Sequence, residues 1–249
     1  MSTPDSADFG FERVPAADKT GRVRGVFDSV ADRYDLMNDL MSFGLHRLWK
    51  RFAVHLSGVR RGGRVLDLAA GTGDCAGLYL DRVGGTGSVT VCDINGAMLR
   101  RGRDRLLNAG RVSGLQFVQA DAERLPFADA GFDCVNIAFG LRNVTRREAA
   151  LSAMHRVLRY GGSAIVLEFS RATLPLLARF YDRYSFEVIP ALGELVAGDR
   201  DSYRYLVESI RMFPDRDALR AMMQEAGFAR VECFNLSGGI VAVHRGSRI

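Results

Sequence analysis

Through the middle of this chain, short runs of branched apolar residues alternate with longer segments in which apolar residues recur every three or four positions. The short runs are typical of buried strands, and the longer spacing is typical of helices that bury one face. We predict strands over 64–68, 88–92, 115–119, 132–138 and 163–169, with helices between them over 74–82, 94–107 and 145–158. Strands that alternate with helices indicate a parallel sheet covered by helices on both faces.

The end of the chain predicts a different arrangement. Residues 231–235 and 240–244 read as two short strands, and the turn between them contains Gly238 and Gly239, as in an antiparallel hairpin. We therefore predict an α/β fold: a seven-stranded, mostly parallel sheet with helices on both faces and a C-terminal antiparallel hairpin.

The remaining segments suggest how the chain is divided. Its first residues are polar and lack sustained periodicity, so we expect a mobile tail there, pinned at most by Phe9 and Phe11. The next segment and a later one have helical spacing without intervening strands. The divisions are a tail over 1–20, a helical cover over 21–60 and a main domain over 61–249 with a helical insert over 171–212.

Composition excludes several classes of function. The 249 residues include 34 lysines and arginines against 29 acids, a net charge of +5. The basic residues are scattered, so we predict no nucleic-acid partner. The four cysteines lie far apart in the sequence, so we interpret them as buried free thiols of a protein in a reducing compartment. The four histidines lack the spacing of metal ligands. No apolar run matches a membrane span or a secretion signal, so we expect a cytoplasmic protein without a metal.

The strongest candidate for chemistry is the segment 64–74, where a strand meets a helix through Gly71, Thr72 and Gly73. Glycine lets the backbone approach a ligand closely, and the free N–H groups of the helix point back at the turn. Asp67 lies just before the turn and suits a cationic or hydroxyl-bearing ligand better than a pyrophosphate, which it would repel. The two glycines with Ala76 also fit the dinucleotide-binding pattern, so an NAD-dependent dehydrogenase is an alternative.

Acids also follow the next two strands. Asp93 comes about twenty residues after the glycines, the spacing of an acid that accepts hydrogen bonds from ribose hydroxyls. Asp121 and Ala122 follow the third strand and suit an adenine ring, although a strand-end aspartate also caps helices.

The stretch LDLAAGTGD resembles the first motif of the class I S-adenosylmethionine-dependent methyltransferases, whose sheet is Rossmann-like. This resemblance implies S-adenosylmethionine as methyl donor, with the glycine turn against its amino-acid part. The residues implied in cofactor binding are Asp67, Gly71, Thr72, Gly73, Asp93, Asp121, Ala122 and Ala138. Some members carry a serine where this chain has Ala138, so only backbone or packing contacts are expected there.

A longer string, YDLMNDLMSFGLHRLWK over 34–50, resembles the signature of the quinone-biosynthesis C-methyltransferases, which methylate the ring of demethylmenaquinol or of a polyprenyl methoxy-benzoquinol. FGLRN over 139–143 and RVLRYGGSAIVLEFS over 156–170 resemble further motifs of that family. The last motif usually has Lys-Pro where this chain has Arg159 and Tyr160, but the two glycines of its turn are present.

The resemblance implies methylation of a quinol ring carbon, which becomes nucleophilic when the neighbouring hydroxyl loses its proton. Arg142 is expected to stabilise the resulting phenolate or to orient a water, since arginine is no base at neutral pH. Tyr34 and His46 are candidates either for accepting the proton or for hydrogen-bonding the substrate, and Asn143 is the candidate ligand of the second ring oxygen.

The implied substrate carries a polyprenyl tail, so an apolar groove is expected around Met37–Leu45 and 174–189. Peripheral attachment to the inner face of the membrane, association with a quinone-synthesis complex and a homodimer are further expectations. A non-catalytic scaffold subunit of such a complex is the second alternative to the enzyme.

Overall fold

The computed structural model describes residues 6–31 and 33–249, except for the side chain of Tyr34. Its centre is a seven-stranded sheet. The strands are β3 (Arg64–Leu68), β4 (Ser88–Asp93), β5 (Leu115–Gln119), β6 (Phe132–Ala138), β7 (Leu158–Phe169), β8 (Ala229–Leu236) and β9 (Val241–Ser247). Their order is β5-β4-β3-β6-β7-β9-β8, with β3 to β7 parallel and β9 antiparallel to both of its neighbours. The predicted fold is confirmed.

Helices cover both faces because side chains alternate along each strand. Leu66 and Leu68 of β3 face one cluster, built with α6 (Arg147–Val157) and α10 (Arg216–Glu225). Val65 faces the other cluster, to which three helices on the opposite face of the sheet contribute side chains. These are α3 (Leu45–Leu56), α4 (Asp74–Val83) and α5 (Gly96–Asn108). Asp67 alternates with Leu66 and Leu68, so it lies on the same face as α3 and α4.

One strand differs from the sequence prediction. We predicted the fifth strand from residue 163, but β7 begins at Leu158 and continues through the two glycines, with a register shift against β6 between Phe132 and Cys134. Between these two pairs β7 advances from Leu158 to Ser163 while β6 advances from Phe132 to Cys134, so three extra residues of β7 are accommodated in an irregular bulge, a form that sequence periodicity does not reveal.

The N-terminal segment also differs from its prediction. We predicted a mobile tail over 1–20, but Ser6–Phe9 (β1) and Glu12–Pro15 (β2) form an antiparallel hairpin and α1 (Ala16–Val30) follows at once. Distant contacts hold it: the ring of Phe9 stacks on Tyr205 with centroids 4.2 Å apart, the Phe11 N–H donates to Glu208, and buried Lys19 donates a hydrogen bond to the Val144 carbonyl. Residues 1–5 lie outside the described part.

Further helices form a second layer that packs on itself. They are α2 (Tyr34–Ser42), α7 (Pro175–Arg183), a π-helical turn (Tyr184–Val188), α8 (Ile189–Ala197) and α9 (Arg200–Met212). Val30 of α1, Met37 of α2, Ile189 of α8 and Val207 of α9 share a small buried cluster. The segments predicted as cover and insert are thus helical, whereas their division into domains stays a prediction. Among the described residues, no helix has the length and apolar character of a membrane span.

Gly102 in α5 provides a test of how tightly this fold holds its glycine turn. A Cβ at Gly102 would lie 2.7 Å from the carbonyl oxygen of Gly71, whereas one at Gly25, an exposed helical glycine of α1, would contact nothing within 4 Å. Alanine favours a helix by about 1 kcal/mol over glycine, but overpacking costs about 1–3 kcal/mol. We expect Gly102→Ala to lower the free energy of unfolding and Gly25→Ala to raise it slightly, as measured by urea denaturation. Equal effects would contradict the close approach.

Candidate active site

Two strand-end turns meet at the centre of the sheet. Ala69 after β3 and Phe139 after β6 both have positive φ, 48° and 57°, which is uncommon for residues other than glycine. The turns pack back to back, since a Cβ at Gly140 would lie 2.4 Å from the Cβ of Ala69. Such backbone outliers persist only where packing enforces them, and they cluster at functional sites.

The glycine turn is braced by an acid. One oxygen of Asp93 accepts a hydrogen bond from the Gly71 N–H at 2.8 Å, and the other accepts one from the Asn95 N–H at 2.8 Å. Burial raises the pKa of Asp93, against the opposing effect of these bonds. From its spacing in the sequence, we predicted that Asp93 binds the hydroxyl groups of a ribose, and that role stays a prediction. Support of the glycine turn is an additional role of Asp93, which the spacing did not reveal.

A cavity opens beside Asp93, in the position expected for an adenosyl group. Its lining includes Asp93, Asp121, Ala122, Ala138 and Gly71. Thr20, Val23 and Phe27 of α1 cover it. One oxygen of Asp121 accepts the Glu123 N–H at 2.9 Å, so this aspartate also supports its own turn. The structure thus brings the two predicted strand-end acids into one cavity.

A larger cavity adjoins the first. It contains Asp67 and Thr72 together with all three predicted catalytic residues whose side chains are described, Arg142, Asn143 and His46. Six residues line both cavities: Phe27, Ala69, Gly71, Ala138, Phe139 and Asn143. Gly73 lines neither and is instead the N-cap residue before α4, with φ 81°. Tyr34 begins α2, but its side chain lies outside the described part.

Asp67 is the most unusual acid of the larger cavity. It is 1% exposed; one carboxylate oxygen accepts a hydrogen bond from the Asn136 amide at 2.6 Å, and the other has no partner among the described residues. Burial raises the pKa of Asp67 to about 7. An unpaired buried carboxylate oxygen fits a ligand that brings a cationic or donor group.

A charged cluster at the start of α4 was missed by sequence reasoning. Asp74 pairs with Lys50 at 2.6 Å and with Arg105 at 2.6 Å. Burial raises the pKa of Asp74, but these two cations lower it overall. The hydroxyl of Thr72 donates to Asp35 at 2.9 Å and so joins the glycine turn to α2. The position of Lys50 within the resembled string was the available signal.

Arg142 is less free than the sequence suggested. Its Nη1 donates to buried Glu168 at 3.0 Å and to the Phe139 carbonyl, and its backbone N–H donates to Glu168 at 3.3 Å. The charge of the guanidinium is therefore compensated inside the protein. Its Nε has no partner among the described residues, so part of its donor capacity is available. Glu168, a lone acid in an apolar strand, was the missed signal.

Asn143 is held by a second residue that sequence reasoning missed. The hydroxyl of Tyr205 in α9 donates to Asn143 Oδ1 at 3.0 Å, and burial raises the pKa of Tyr205 to about 12, so it remains a donor. This bond uses one lone pair of the Asn143 oxygen and leaves its NH₂ group for a ligand.

His46 lies in the same cavity and is 6% exposed. Its Nε2 lies 2.8 Å from Asp39 Oδ1, and its Nδ1 has no partner among the described residues. Burial lowers the pKa of His46, which favours the neutral ring. The sequence placed this histidine correctly but did not reveal its acidic partner.

The comparison with known proteins decides the family. The model of the ubiE/COQ5 methyltransferase family matches residues 16–248. This chain belongs to that family. Relatives named "Ubiquinone/menaquinone biosynthesis C-methyltransferase UbiE" include one from Teredinibacter turnerae, 56% identical over all of both chains, and one from Ectopseudomonas mendocina, 60% identical over 96% of this chain and 93% of its own.

Solved structures share the fold. A SAM-dependent methyltransferase from Thermotoga maritima superposes with a TM-score of 0.65 at 20% identity, over 91% of this chain and all of the other. A SAM-dependent methyltransferase from Aquifex aeolicus superposes with a TM-score of 0.62 at 14% identity, over 86% of this chain and 98% of the other. Family and fold together confirm an S-adenosylmethionine-dependent methyltransferase, and they support neither the dehydrogenase nor the non-catalytic scaffold.

The residues present fit the cofactor. Asp93, Asp121 and Ala122 would hold its adenosyl part, and the orphaned oxygen of Asp67 would meet its cationic amino group beside the glycine turn. Bound there, S-adenosylmethionine supplies an electrophilic methyl group, so no protein nucleophile is needed.

Asp67 predicts how cofactor affinity depends on pH. A cationic amine pairs with the ionised carboxylate, and the pKa of about 7 leaves Asp67 largely neutral below that pH. We expect the affinity for S-adenosylmethionine to rise between pH 5.5 and 7, by about tenfold per pH unit well below the pKa. Asp67→Asn keeps the shape and should give a weaker, nearly flat profile in calorimetric titration.

Stability gives the matching readout without ligand. The folded pKa of Asp67 lies above its unfolded value of about 3.9, so its contribution to stability is complete below pH 4 and is lost as pH rises through about 7. Asp67→Asn should therefore be more stable than the parent at pH 8. Parallel pH profiles of affinity and stability in parent and variant would contradict the assignment.

Proposed function

We propose that this enzyme methylates a ring carbon of a polyprenylated quinol, as in the conversion of demethylmenaquinol to menaquinol or the methylation of a 2-methoxy-6-polyprenyl-1,4-benzoquinol. The observation that carries the proposal is the larger cavity, which adjoins the cofactor cavity at Ala138 and Phe139. Aromatic side chains form much of its wall: Phe27, Trp49, Phe139, Phe169, Tyr181, Tyr184 and Tyr205. Relatives named for ubiquinone and menaquinone biosynthesis, at 55–60% identity, support the same substrate class.

The chemistry requires the acceptor ring to become nucleophilic. Loss of the hydroxyl proton makes the neighbouring ring carbon attack more readily, and groups that stabilise the phenolate lower the barrier. The unpaired Nε–H of Arg142, a residue that lines the larger cavity, and the amide of Asn143, a residue that lines both cavities, are the donors available there. Because Glu168 compensates its charge, Arg142 acts through this directed N–H dipole rather than as an isolated cation.

The polyprenyl tail needs an apolar route. Exposed apolar side chains lie at two places: Phe43, Leu45 and Leu48 around the α2–α3 corner, and Leu174, Leu176 and Phe180 at the start of α7 and within it. Phe43 and Leu45 line the larger cavity, and so does Tyr181, the neighbour of Phe180. Both places contact the turn 237–239, since Trp49 donates to Ser237 and the Thr173 N–H donates to the Gly238 carbonyl. We name these six residues the apolar rim.

Charge favours a bilayer as the surface that the apolar rim meets. Three arginines are exposed near the apolar rim: Arg51 in α3, Arg171 in the segment before α7, and Arg179 in α7. The described residues include no ion-pair partner for any of the three. Exposed apolar side chains flanked by arginines match an anionic membrane surface. Peripheral attachment would let the tail stay in the lipid while the ring enters the cavity. A quinone-synthesis complex and a homodimer stay predictions.

The tail prediction concerns substrate length. Each isoprene unit buried in the groove contributes apolar area at about 25 cal/mol per Å². We expect the enzyme to transfer methyl groups from labelled S-adenosylmethionine to soluble quinol analogues of graded tail length. The KM for the quinol should fall as the first few isoprene units are added and then level off. A KM independent of tail length would show that only the ring is recognised, and no transfer to any quinol would overturn the proposed function.

The membrane prediction compares two surfaces. Leu48→Ser with Leu176→Ser removes two exposed side chains of the apolar rim that do not line the cavity. Val112→Ser removes one apolar side chain that is more exposed than either of these, before β5 at the opposite edge of the sheet. We expect the double variant to lose most of its cosedimentation with phosphatidylglycerol vesicles and the control to keep it. Equal binding by all three proteins would exclude this docking face.

A further inference from the structure

The proposed reaction needs an acceptor for the quinol proton, and the α2–α3 corner offers one. Phe43 and Gly44 turn the chain with φ of 50° and 73°, so α3 folds back beside α2. This turn brings Asp39 of α2 within 2.8 Å of His46 Nε2 in α3. His46, Asn38 and Ser42 line the larger cavity from this corner.

We propose that His46 Nδ1 accepts the hydroxyl proton of the quinol and that Asp39 is the positioning residue that makes it able to do so. The inference rests on the proposed function and assigns a role within the same cavity.

The tautomer follows from the hydrogen bonds. Arg47 donates to both oxygens of Asp39, from Nε at 2.8 Å and from Nη2 at 2.7 Å. These bonds, and the one from His46, lower the pKa of Asp39, so it is an ionised acceptor. His46 Nε2 must then donate its hydrogen to Asp39. In the neutral ring the second nitrogen, Nδ1, carries the lone pair.

The protonation state follows from the surroundings. Burial lowers the pKa of His46, and so does the nearby charge of Lys50 in its own helix. The bond to Asp39 and the charge of Asp74 at the start of α4 act in the opposite direction. The net effect is a lowered pKa, so the ring is free to accept a proton at neutral pH.

The buried Nδ1 is the observation that points to a ligand. A buried ring nitrogen without a partner is unfavourable unless a bound group supplies one. The described residues leave Nδ1 in this state, in a side chain that is only 7% exposed and belongs to the lining of the cavity. A quinol hydroxyl is a donor and would satisfy it.

The proton balance closes on the substrate. His46 Nδ1 takes the hydroxyl proton, and the electron pair of the O–H bond makes the adjacent ring carbon nucleophilic. That carbon forms its bond to the methyl group, while the electron pair of the broken carbon–sulfur bond stays on sulfur. The hydrogen on the methylated ring carbon then leaves to water as a proton. His46 returns the hydroxyl proton that it had accepted to the ring oxygen. One proton is released for each methyl group transferred.

The first test is the pH dependence of turnover. In the parent, kcat should rise with pH through a pKa below the ordinary histidine value, since only the neutral ring accepts. His46→Gln should lower kcat by about a hundredfold or more and remove this rising limb of the pH profile. The Kd for S-adenosylmethionine should stay within about twofold of that of the parent. His55→Gln, at an exposed histidine of the same helix, is the matched control and should behave as the parent.

The second test addresses Asp39. Asp39→Asn keeps the size but removes the charge that stabilises the protonated ring, so the limb should move to lower pH and kcat should fall. A merely structural contact would change the unfolding midpoint without moving the limb. Added imidazole should partly restore His46→Ala.

The outcomes are separable. An active parent with an unchanged kcat and pH profile in His46→Gln would overturn the role of His46, and an unmoved limb in Asp39→Asn would overturn that of Asp39. A parent that methylates no quinol analogue would instead overturn the proposed function. If His46→Gln fails to bind cofactor, Asp39→Asn and the imidazole experiment still decide.

Discussion

The two hydrogen bonds that Asp93 accepts from backbone N–H groups hold the site together. They join the end of β4, the glycine turn after β3 and the segment that begins α5. A buried carboxylate is unfavourable without such partners, so the contacts that stabilise Asp93 are also contacts that shape the cofactor cavity. Gly102 completes the arrangement, because only a residue without a side chain lets α5 approach the Gly71 carbonyl.

Local sequence explains why the centre of the fold was predictable. The strand, glycine turn and helix over 64–83 follow from neighbouring residues, and the hairpin at the end follows from its glycines. The N-terminal hairpin did not follow, because its short strands have no periodicity of their own and depend on contacts almost two hundred residues away. The stacking of Phe9 on Tyr205 is such a contact.

The same distinction applies to the site. Asp67, Asp93 and Asp121 were predictable because parallel strands bring their carboxyl ends to one edge, whatever the loops do. Their partners were not predictable, since tertiary packing chooses them: Asn136 for Asp67, Glu168 for Arg142 and Asp39 for His46. A charged residue inside an apolar run, such as Glu168, signals that a partner exists but does not identify it.

Charge compensation is the feature that most constrains the chemistry. The two cations at the larger cavity are both paired, Arg142 with Glu168 and Lys50 with Asp74, so the site presents dipoles rather than a net positive charge. The proposed substrate, a neutral and apolar quinol, would therefore enter without displacing counterions. The same compensation leaves the site with little charge to lower the pKa of a bound hydroxyl. In the proposed reaction, phenolate formation would then depend on a neutral base within the cavity, and burial lowers the pKa of His46 in the direction that this role requires.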